Sequence, residues 1–397
     1  MAYLHSKGSC FMHGRIRGIS MNAYCVTYED LSRVTAGILA QLGYSEDCAA
    51  LVSKCLVEAD ARHLHSHGVA LLPTYQSHLE AGSLKLDAPA PAVVFETPIS
   101  AVIDGHSGVG FSIADFATRL CIEKTKRSGL CAVTVRNANH YGFAGYWTEM
   151  IAEKGLIGIT ATNTVRCVCP TGSAERSLGT NPISVAFPTF GDEPMFLLDM
   201  ATCVMAHGKF CRSQVFAESG IVPEGVLIDG EGRSVVDFKI ALDILTHGDC
   251  RRHEPNPSAG GLLPLGGSNE AHGGHKGYGL ALLVELLTGG LAQGMPSRFI
   301  PRASEGICFF FMAIAPALFG NAGAVRRHIA EIVREYRQTV PIDPNVPVLI
   351  PGDKERAFRE RALQDGIELS REVVEALRRV AAKTEDASKL ENILTKG

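Results

Sequence analysis

Two short turns carry histidines in settings that suit proton transfer. His67 lies in the triplet Ser66-His67-Gly68, within the segment ADARHLHSHGV. His140 lies in the turn NANHYG, after a run of β-favouring residues and before a helical period. Functional groups gather at the ends of strands in open α/β sheets. An imidazole at such a place titrates near neutral pH and exchanges a proton with a hydroxyl or carbonyl oxygen, so both histidines are candidate catalytic residues.

Two further turns suit a charged ligand. Asp199 follows an apolar run, so its carboxylate is expected to need a partner, either an imidazole or, as a helix cap, backbone N–H groups. Lys276 lies in GGHKGYG, which opens an apolar helix. The N–H groups at a helix start bind anions, and the lysine adds positive charge, so this turn suits a dinucleotide pyrophosphate. The alternative is a glycine turn that only lets the helix pack closely.

Several familiar motifs do not occur in the sequence. GxGxxG, GxxxxGK[ST], HExxH and GxSxG are all absent, which disfavours an ordinary Rossmann dehydrogenase, a P-loop enzyme, a zinc protease and a serine hydrolase. His63, His65 and His67 alternate, as metal ligands on one strand face would. No Cys, Asp or Glu group shares their spacing, so no metal site is predicted.

The hydrophobic pattern alternates between short β-rich runs and helical periods, which predicts an α/β protein. Strands are predicted at 101–104, 130–135, 156–161, 183–187, 195–198 and 308–313. Helices are predicted within 29–61 and at 111–128, 144–154, 277–288, 321–338, 353–364 and 370–382. The helix at 277–288 is expected to be buried on most sides and to end at Gly289 and Gly290. Residues 1–28 are predicted to be a disordered extension, 29–100 a helical part joining a helical 320–397, and 101–319 an α/β nicotinamide-binding domain.

Composition excludes several classes of protein. The net charge of −4 comes from mixed signs without a clustered basic surface, which argues against nucleic-acid binding. No apolar run reaches about 18 residues, so no membrane span is expected. Twelve scattered cysteines without a secretory signal indicate free thiols in a reducing compartment, and a cytoplasmic location is expected. The first 28 residues lack Asp and Glu but carry three basic residues, so organellar import is the alternative.

The motifs also occur in a recognisable order. The chain contains DARHLHSHGV, VRNANHYGFAGYW, IGITATNT, LGTNPISVAFP, LDMAT and GGHKGYGLALLVE, followed by PGDKE at 351–355. This set resembles the malate/L-lactate dehydrogenase family, which includes sulfolactate, ureidoglycolate and diketogulonate oxidoreductases, from about Tyr28 to about Leu377. The resemblance implies a non-Rossmann NAD(P)-binding α/β fold, with a mixed sheet, flanking helices and helical N- and C-terminal parts, and a homodimer. The form GGSNEAHGGHKGYG is most similar to the malate and sulfolactate branch.

The resemblance implies roles for particular residues as well. His67 and His140 match the family's catalytic histidines, and Ser66 and Asp199 are expected in the same site. The positions that match contacts to NAD or NADP are Thr164, Asp199, Met200, Ala201, His275, Lys276, Gly352, Asp353 and Lys354.

The chain departs from the family where a substrate carboxylate would bind. Members often carry two arginines after the SHG triplet, in a pattern like ARLPRY, whereas Leu71 and Thr74 stand here. Arginine suits such a site because its planar fork binds a carboxylate through two hydrogen bonds. Arg62 and Arg136 are candidate replacements. His207 also stands where arginine is common.

Together these observations predict hydride transfer between NAD(P) and C2 of a small 2-hydroxy or 2-keto acid, of the malate/oxaloacetate, lactate/pyruvate or sulfolactate type. Either His140 or His67 is the expected acid/base. Two alternatives remain open at this point. One is an imine reductase acting on a cyclic 2-imino acid, and the other is a nucleotide-binding protein without catalysis.

Overall fold

The computed structural model describes residues 23–247, 259–301, 305–382 and 387–394. Its first element is strand β1 (Ala23–Val26), which pairs antiparallel with β11 (Ile367–Ser370), and helix α1 begins at Tyr28. The predicted boundary of the disordered extension at residue 28 is therefore wrong, because residues 23–28 already belong to the folded body. The rest of that extension lies outside the described residues.

A mixed seven-stranded sheet lies at the centre of the described chain, in the order β2-β3-β4-β10-β5-β6-β7. Only β3 and β4 run parallel; each other neighbouring pair is antiparallel. This confirms the predicted mixed α/β architecture. The seven strands are β2 (Ala92–Thr97), β3 (Ser100–Asp104), β4 (Leu130–Ala138), β5 (Ile157–Thr162), β6 (Ile183–Phe187), β7 (Phe196–Met200) and β10 (Ile307–Ile314), and a separate short pair is formed by β8 (Leu227–Ile228) and β9 (Gly261–Leu262).

The longer helices outside 212–275 follow the predicted periods closely, since local signals place many of their ends. Residues 212–275 are expected from their glycine, proline and polar content to form loops and small strands, and this expectation is wrong for α7 and α8. Ser45 caps the second helix through its side chain, and Gly129, with a left-handed φ of 81°, ends the fourth. Among the described residues no helix is long and apolar enough to cross a membrane. The helices are α1 (Tyr28–Gln41), α2 (Glu46–Ala61), α3 (Leu72–Glu80), α4 (Gly110–Ser128), α5 (Ala144–Ala152), α6 (His207–Cys211), α7 (Gln214–Ser219), α8 (Phe238–His247), α9 (Gly274–Glu285), α10 (Ala322–Arg337), α11 (Asp353–Asp365), α12 (Arg371–Ala381) and α13 (Ala387–Leu394).

Buried apolar residues form two main clusters. The larger joins α1 and α2 to one face of the central sheet and to α12 and α13, so the first and last described helices pack together. The second lies around α6, α7, α8 and the β8–β9 pair. Packing of the N-terminal helices on the C-terminal ones is what the predicted joining of these parts requires; the division into domains stays a prediction.

Helix α9 differs from its prediction in two respects. The chain passes through Gly289 and Gly290 in a π-helical turn (Leu286–Gly290) and remains helical to residue 292. Glycine ends a helix when it adopts a positive φ, and neither glycine does so here. One face of α9 and of the turn that follows it is also exposed, not buried, with Leu280 and Leu283 of α9 and Leu286 of the turn between 37% and 58% accessible.

Candidate active site

A cavity of about 760 Å³ opens between the SHG turn, α3, the turn after β4, the segment between β5 and β6, the chain around α6 and the segment before β10. Its walls include Ser66, His67, His140 and Thr164. Four predicted site residues from three distant parts of the sequence therefore meet in one place. The remaining predicted cofactor positions lie outside its lining. A cavity of this size accommodates a small substrate together with part of a larger ligand.

The proton on the neutral His140 ring is located by two hydrogen-bond donors. The backbone N–H of Gly142 donates to His140 Nδ1 at 3.3 Å, and a backbone N–H can only donate. The hydroxyl of Tyr75 contacts the same nitrogen at 2.8 Å. Desolvation by burial, followed by repulsion from His67, lowers the pKa of His140 to about 3, so the ring is neutral near pH 7. Because Nδ1 accepts both hydrogen bonds, the proton lies on Nε2.

The hydrogen-bond partner of His67 does not fix which ring nitrogen carries the proton. Its Nδ1 lies 2.9 Å from Oγ of Ser66, and a hydroxyl can donate or accept. Desolvation, together with the nearby positive charge of Arg212, lowers the pKa of His67 to about 4. The rings of His67 and His140 are stacked, with centroids 5.7 Å apart. Two neutral imidazoles with different partners thus lie side by side on the cavity wall.

Tyr75 was not among the residues predicted to be functional. The two asparagines beside His140 bind other groups instead of its ring. Asn137 Nδ2 donates to Asp104, and Asn139 Nδ2 donates to backbone carbonyls, including that of Gly108. The sequence carries only a weak signal for Tyr75: it lies on the helix that follows the SHG turn, eight residues after His67.

Asp199 does not bond to an imidazole anywhere in the described ranges. Its Oδ2 accepts the backbone N–H of Gly145 at 2.8 Å, in the first turn of α5. The predicted imidazole partner is therefore wrong. The alternative, an N-cap for the segment that follows Asp199, is wrong as well, because the carboxylate binds the first turn of the earlier helix α5 from the neighbouring strand β7. Although part of Asp199 faces solvent, the surrounding protein desolvates its carboxylate and raises its pKa to about 6.

Hydrogen bonds connect the cavity to the segment after β7. Thr164 Oγ1 accepts the N–H of Thr180 at 2.9 Å, and the carbonyl of Thr180 accepts the N–H of Thr202 at 2.9 Å. Thr164 and Thr180 line the cavity, whereas Thr202 directly follows Met200 and Ala201. These hydrogen bonds through Thr164, Thr180 and Thr202, here called the threonine ladder, connect the predicted cofactor position at 164 with the segment that follows 199–201.

The glycine turn before α9 packs against the same region. Leu265 N donates to the Thr202 carbonyl, and a Cβ on Gly277 would collide with the Leu265 backbone. Gly277 therefore allows this close packing of the helix, which is compatible with both interpretations of the turn. His275 and Lys276 are exposed at the start of the helix, where anion binding stays a prediction.

The predicted late cofactor loop lies beside β7. Leu197 N donates to the carbonyl of Pro351 at 3.1 Å, and Gly352 has a left-handed φ of 96°. The Asp353 carboxylate is paired with Arg337 at 2.7 Å and with Arg356 at 2.6 Å, so it stabilises the loop itself. The ammonium group of Lys354 lies over the Phe358 ring, 5.8 Å from its centroid.

The two candidate replacements for the carboxylate-binding arginines point elsewhere. Arg62 is buried and paired with Glu58 and Glu149, and Arg136 is paired with Asp104. Neither lines the cavity, although Leu71 and Thr74 do. The arginines in its lining are Arg166, Arg176, Arg212 and Arg298.

The alternating histidines do not converge on one point. His65 Nε2 contacts His63 Nδ1 at 2.9 Å, and His65 Nδ1 contacts Asp60 at 2.9 Å, while His67 faces the cavity. His65–His67 form one 3₁₀ turn, and His63 lies before it with a left-handed φ of 61°, so the three residues do not form a strand. No group of three or more potential ligands arranged to hold a metal occurs within the described ranges.

Comparison with known proteins agrees with this architecture. The family model for malate/L-lactate dehydrogenase matches residues 26–378. A malate dehydrogenase of Pyrococcus abyssi is 36% identical over 369 residues, covering 92% of this chain and 96% of its own. The structure of sulfolactate dehydrogenase from Methanocaldococcus jannaschii superposes with a TM-score of 0.79 at 30% identity, covering 93% of this chain and 99% of that one.

A third relative is named as a reductase, not as a dehydrogenase. The structure of a delta1-piperideine-2-carboxylate reductase from Pseudomonas syringae pvar. tomato matches with a TM-score of 0.75 at 26% identity, covering 90% of this chain and 99% of that one. The matched range of the family model agrees with the extent predicted from the motifs, from about Tyr28 to about Leu377. The chain therefore belongs to the malate/L-lactate dehydrogenase family.

Proposed function

We propose that this protein is an NAD- or NADP-dependent dehydrogenase that interconverts a small 2-hydroxy acid and the corresponding 2-keto acid. The observation that carries the proposal is the cavity in which two neutral histidines lie beside arginine side chains. Oxidation of a hydroxyl needs a group that takes its proton, and an acid substrate needs a cation. Both chemistries are available in this one cavity.

A bound nicotinamide supplies or accepts the hydride at C2. The residues present fit such a group. The hydroxyl of Thr164 and the carboxylate of Asp199 are hydrogen-bond partners suited to an amide or to ribose hydroxyls. His275 and Lys276 are exposed at the start of α9, where they suit a pyrophosphate. The threonine ladder supports this assignment, because it joins the cavity to the segment that carries Asp199.

The hydrogen bonds of the two histidines support different roles. His140 holds its proton on Nε2, so it donates a hydrogen bond to the substrate oxygen and does not accept a proton there. His67 accepts the hydroxyl proton during oxidation and returns it during reduction, since Ser66 Oγ can donate or accept as the ring changes form. Because the pKa of His67 is low, its ring is unprotonated near pH 7, as a proton acceptor must be. Tyr75 is a positioning residue that holds the His140 tautomer.

A substrate panel tests the proposal. The purified protein is mixed with NADH or NADPH, and absorbance at 340 nm is followed with pyruvate, oxaloacetate, sulfopyruvate and cyclic 2-imino acids. We expect turnover with a 2-keto acid, and oxidation of the corresponding 2-hydroxy acid with NAD or NADP. Cofactor binding without turnover of any compound in the panel would contradict the proposal and favour the non-catalytic alternative.

Imine reduction is the second candidate, because one structural relative is a delta1-piperideine-2-carboxylate reductase. The same hydride geometry would serve, with nitrogen in place of oxygen at C2. Preference for the cyclic imino acid over every keto acid in the panel would select this candidate.

The implied homodimer is also part of the proposal. It is supported by the exposed leucines of α9. Light scattering in solution should give twice the mass of one chain, and a monomer would contradict it.

A further inference from the structure

The residues that line the cavity carry positive charge but no negative charge. Four arginines line it, whereas no Asp or Glu belongs to its lining within the part of the chain that the structure describes. Such a cavity favours an anion over a neutral or cationic ligand. Any of the four arginines could bind the anionic group next to the reacting carbon.

Three of the arginines are bonded to groups outside the SHG turn. Arg176 is buried, and its Nη1 donates to the carbonyl of Ile244 at 2.6 Å. Arg298 is paired with Glu175 at 3.1 Å, so its charge is already matched. Arg166 donates to the Arg298 carbonyl at 3.2 Å.

Arg212 differs from the other three in its position. Its Nη1 donates to the backbone carbonyl of Ser66 at 3.1 Å, and Ser66 Oγ contacts His67. A carbonyl leaves the guanidinium charge unmatched, and no ion pair to Arg212 occurs among the described residues. The charge reaches both reacting groups, because it contributes to the lowered pKa of His67 and of His140.

We propose that Arg212 binds the substrate carboxylate next to C2, at the place where Leu71 and Thr74 offer no charge. This inference rests on the proposed function. The guanidinium uses one N–H for the Ser66 carbonyl and keeps its others for the two carboxylate oxygens. Since C1 and C2 of a 2-keto acid are adjacent, an arginine held beside the SHG turn brings the carbonyl oxygen towards the histidines.

Carboxylate binding at Arg212 also adjusts the acid/base group. In the free protein the arginine charge disfavours the protonated form of His67. A bound carboxylate cancels that charge and so raises the pKa of His67 in the complex. His67 is therefore unprotonated in the free protein, and it holds a proton more readily once a keto acid is bound.

The test uses oxamate, an unreactive analogue of pyruvate, titrated calorimetrically into the protein saturated with reduced cofactor. Arg212→Gln should weaken oxamate binding by about 10- to 100-fold, the effect of a lost charged hydrogen-bond pair, while Arg212→Lys should lose less. Arg166→Gln is the competing cavity variant and should have a smaller effect. Arg233→Gln is the surface control, since this exposed arginine pairs with Asp229 outside the cavity.

Two further readouts separate recognition from a merely structural role. Arg212→Gln should raise KM for the keto acid far more than it lowers kcat, and cofactor affinity should not change. It should also shift the acidic limb of kcat/KM for hydroxy-acid oxidation to higher pH, because the charge that lowers the histidine pKa values is gone.

The possible failures are distinguishable. Absence of oxamate binding by the wild type, or unchanged binding by Arg212→Gln, would overturn the role of Arg212. A larger loss in Arg166→Gln would assign the carboxylate to that residue instead. Arg212-dependent oxamate binding in a protein that turns over no keto acid would support the anion site and overturn only the proposed function.

Discussion

The hydroxyl of Tyr75 should matter for catalysis even though it belongs to a side chain that is only 4% exposed. Tyr75→Phe keeps the ring in contact with Phe111 but removes the donor 2.8 Å from His140 Nδ1. Burial raises the pKa of Tyr75 well above its usual value, so this hydroxyl keeps its proton throughout the working pH range. The substitution therefore removes one of two donors from Nδ1 and leaves the longer contact from Gly142, at 3.3 Å.

The expected size follows from the value of one neutral hydrogen bond, about 0.5–1.5 kcal/mol. If the bond holds the Nε2–H tautomer in the transition state, kcat should fall about 2- to 10-fold, since about 1.4 kcal/mol corresponds to a factor of ten. Donation to Nδ1 also opposes protonation of the ring. Tyr75→Phe should therefore raise the pKa of His140 and shift the acidic limb of the rate profile to higher pH.

Single-turnover rates from pH 4 to 8, with cofactor binding measured separately, provide the assay. Tyr44→Phe is the matched control, because it removes a hydroxyl from another buried tyrosine that does not line the cavity. We expect normal kcat in Tyr44→Phe and unchanged cofactor affinity in both variants. A wild-type rate and pH profile in Tyr75→Phe, or an equal loss in Tyr44→Phe, would refute the reasoning.

Three other predictions concern the histidines and the packing of α9. His67→Ala should lower kcat by about 10²–10⁴-fold in stopped-flow assays, the usual effect of a positioned acid/base, with a smaller loss for His140→Ala; the reverse order would exchange their roles. Gly277→Ala should lower the free energy of unfolding in urea by about 1–3 kcal/mol, because the added methyl group would collide with the Leu265 backbone. Gly279→Ala, which has open space around its Cβ, should leave that free energy unchanged, and equal effects of the two variants would contradict the packing argument. The free energy of unfolding should fall as pH decreases from about 6.5 towards 4, because the unfolded chain protonates at these two histidines before the folded protein does. Asp199, whose pKa is raised, opposes this trend below about pH 6, so Asp199→Asn should steepen it; a flat curve would show that the histidines are not desolvated.

Much of the architecture could be predicted from local patterns. Strand β4 and the turn that carries His140 are both recognisable, because β-branched runs, glycines and polar turn residues act over a few neighbouring positions. The ends of α4 were predictable for the same reason, since Gly129 supplies the left-handed conformation that stops it. The order of the polar segments was enough to predict the family.

The partners of the site residues depended on packing between distant elements. Tyr75 and His140 are 65 positions apart, and Arg212 and the Ser66 carbonyl 146 positions apart. The Asp199 carboxylate accepts a hydrogen bond from the N-terminus of a helix, not from an imidazole. A hydrogen bond at such separation leaves no periodic trace in the sequence, because it exists only after the sheet and helices have brought both groups together. The sequence by itself therefore determined which residues are candidates for the chemistry, whereas the tertiary structure decided which of them meet, which tautomer His140 holds and which arginines line the cavity.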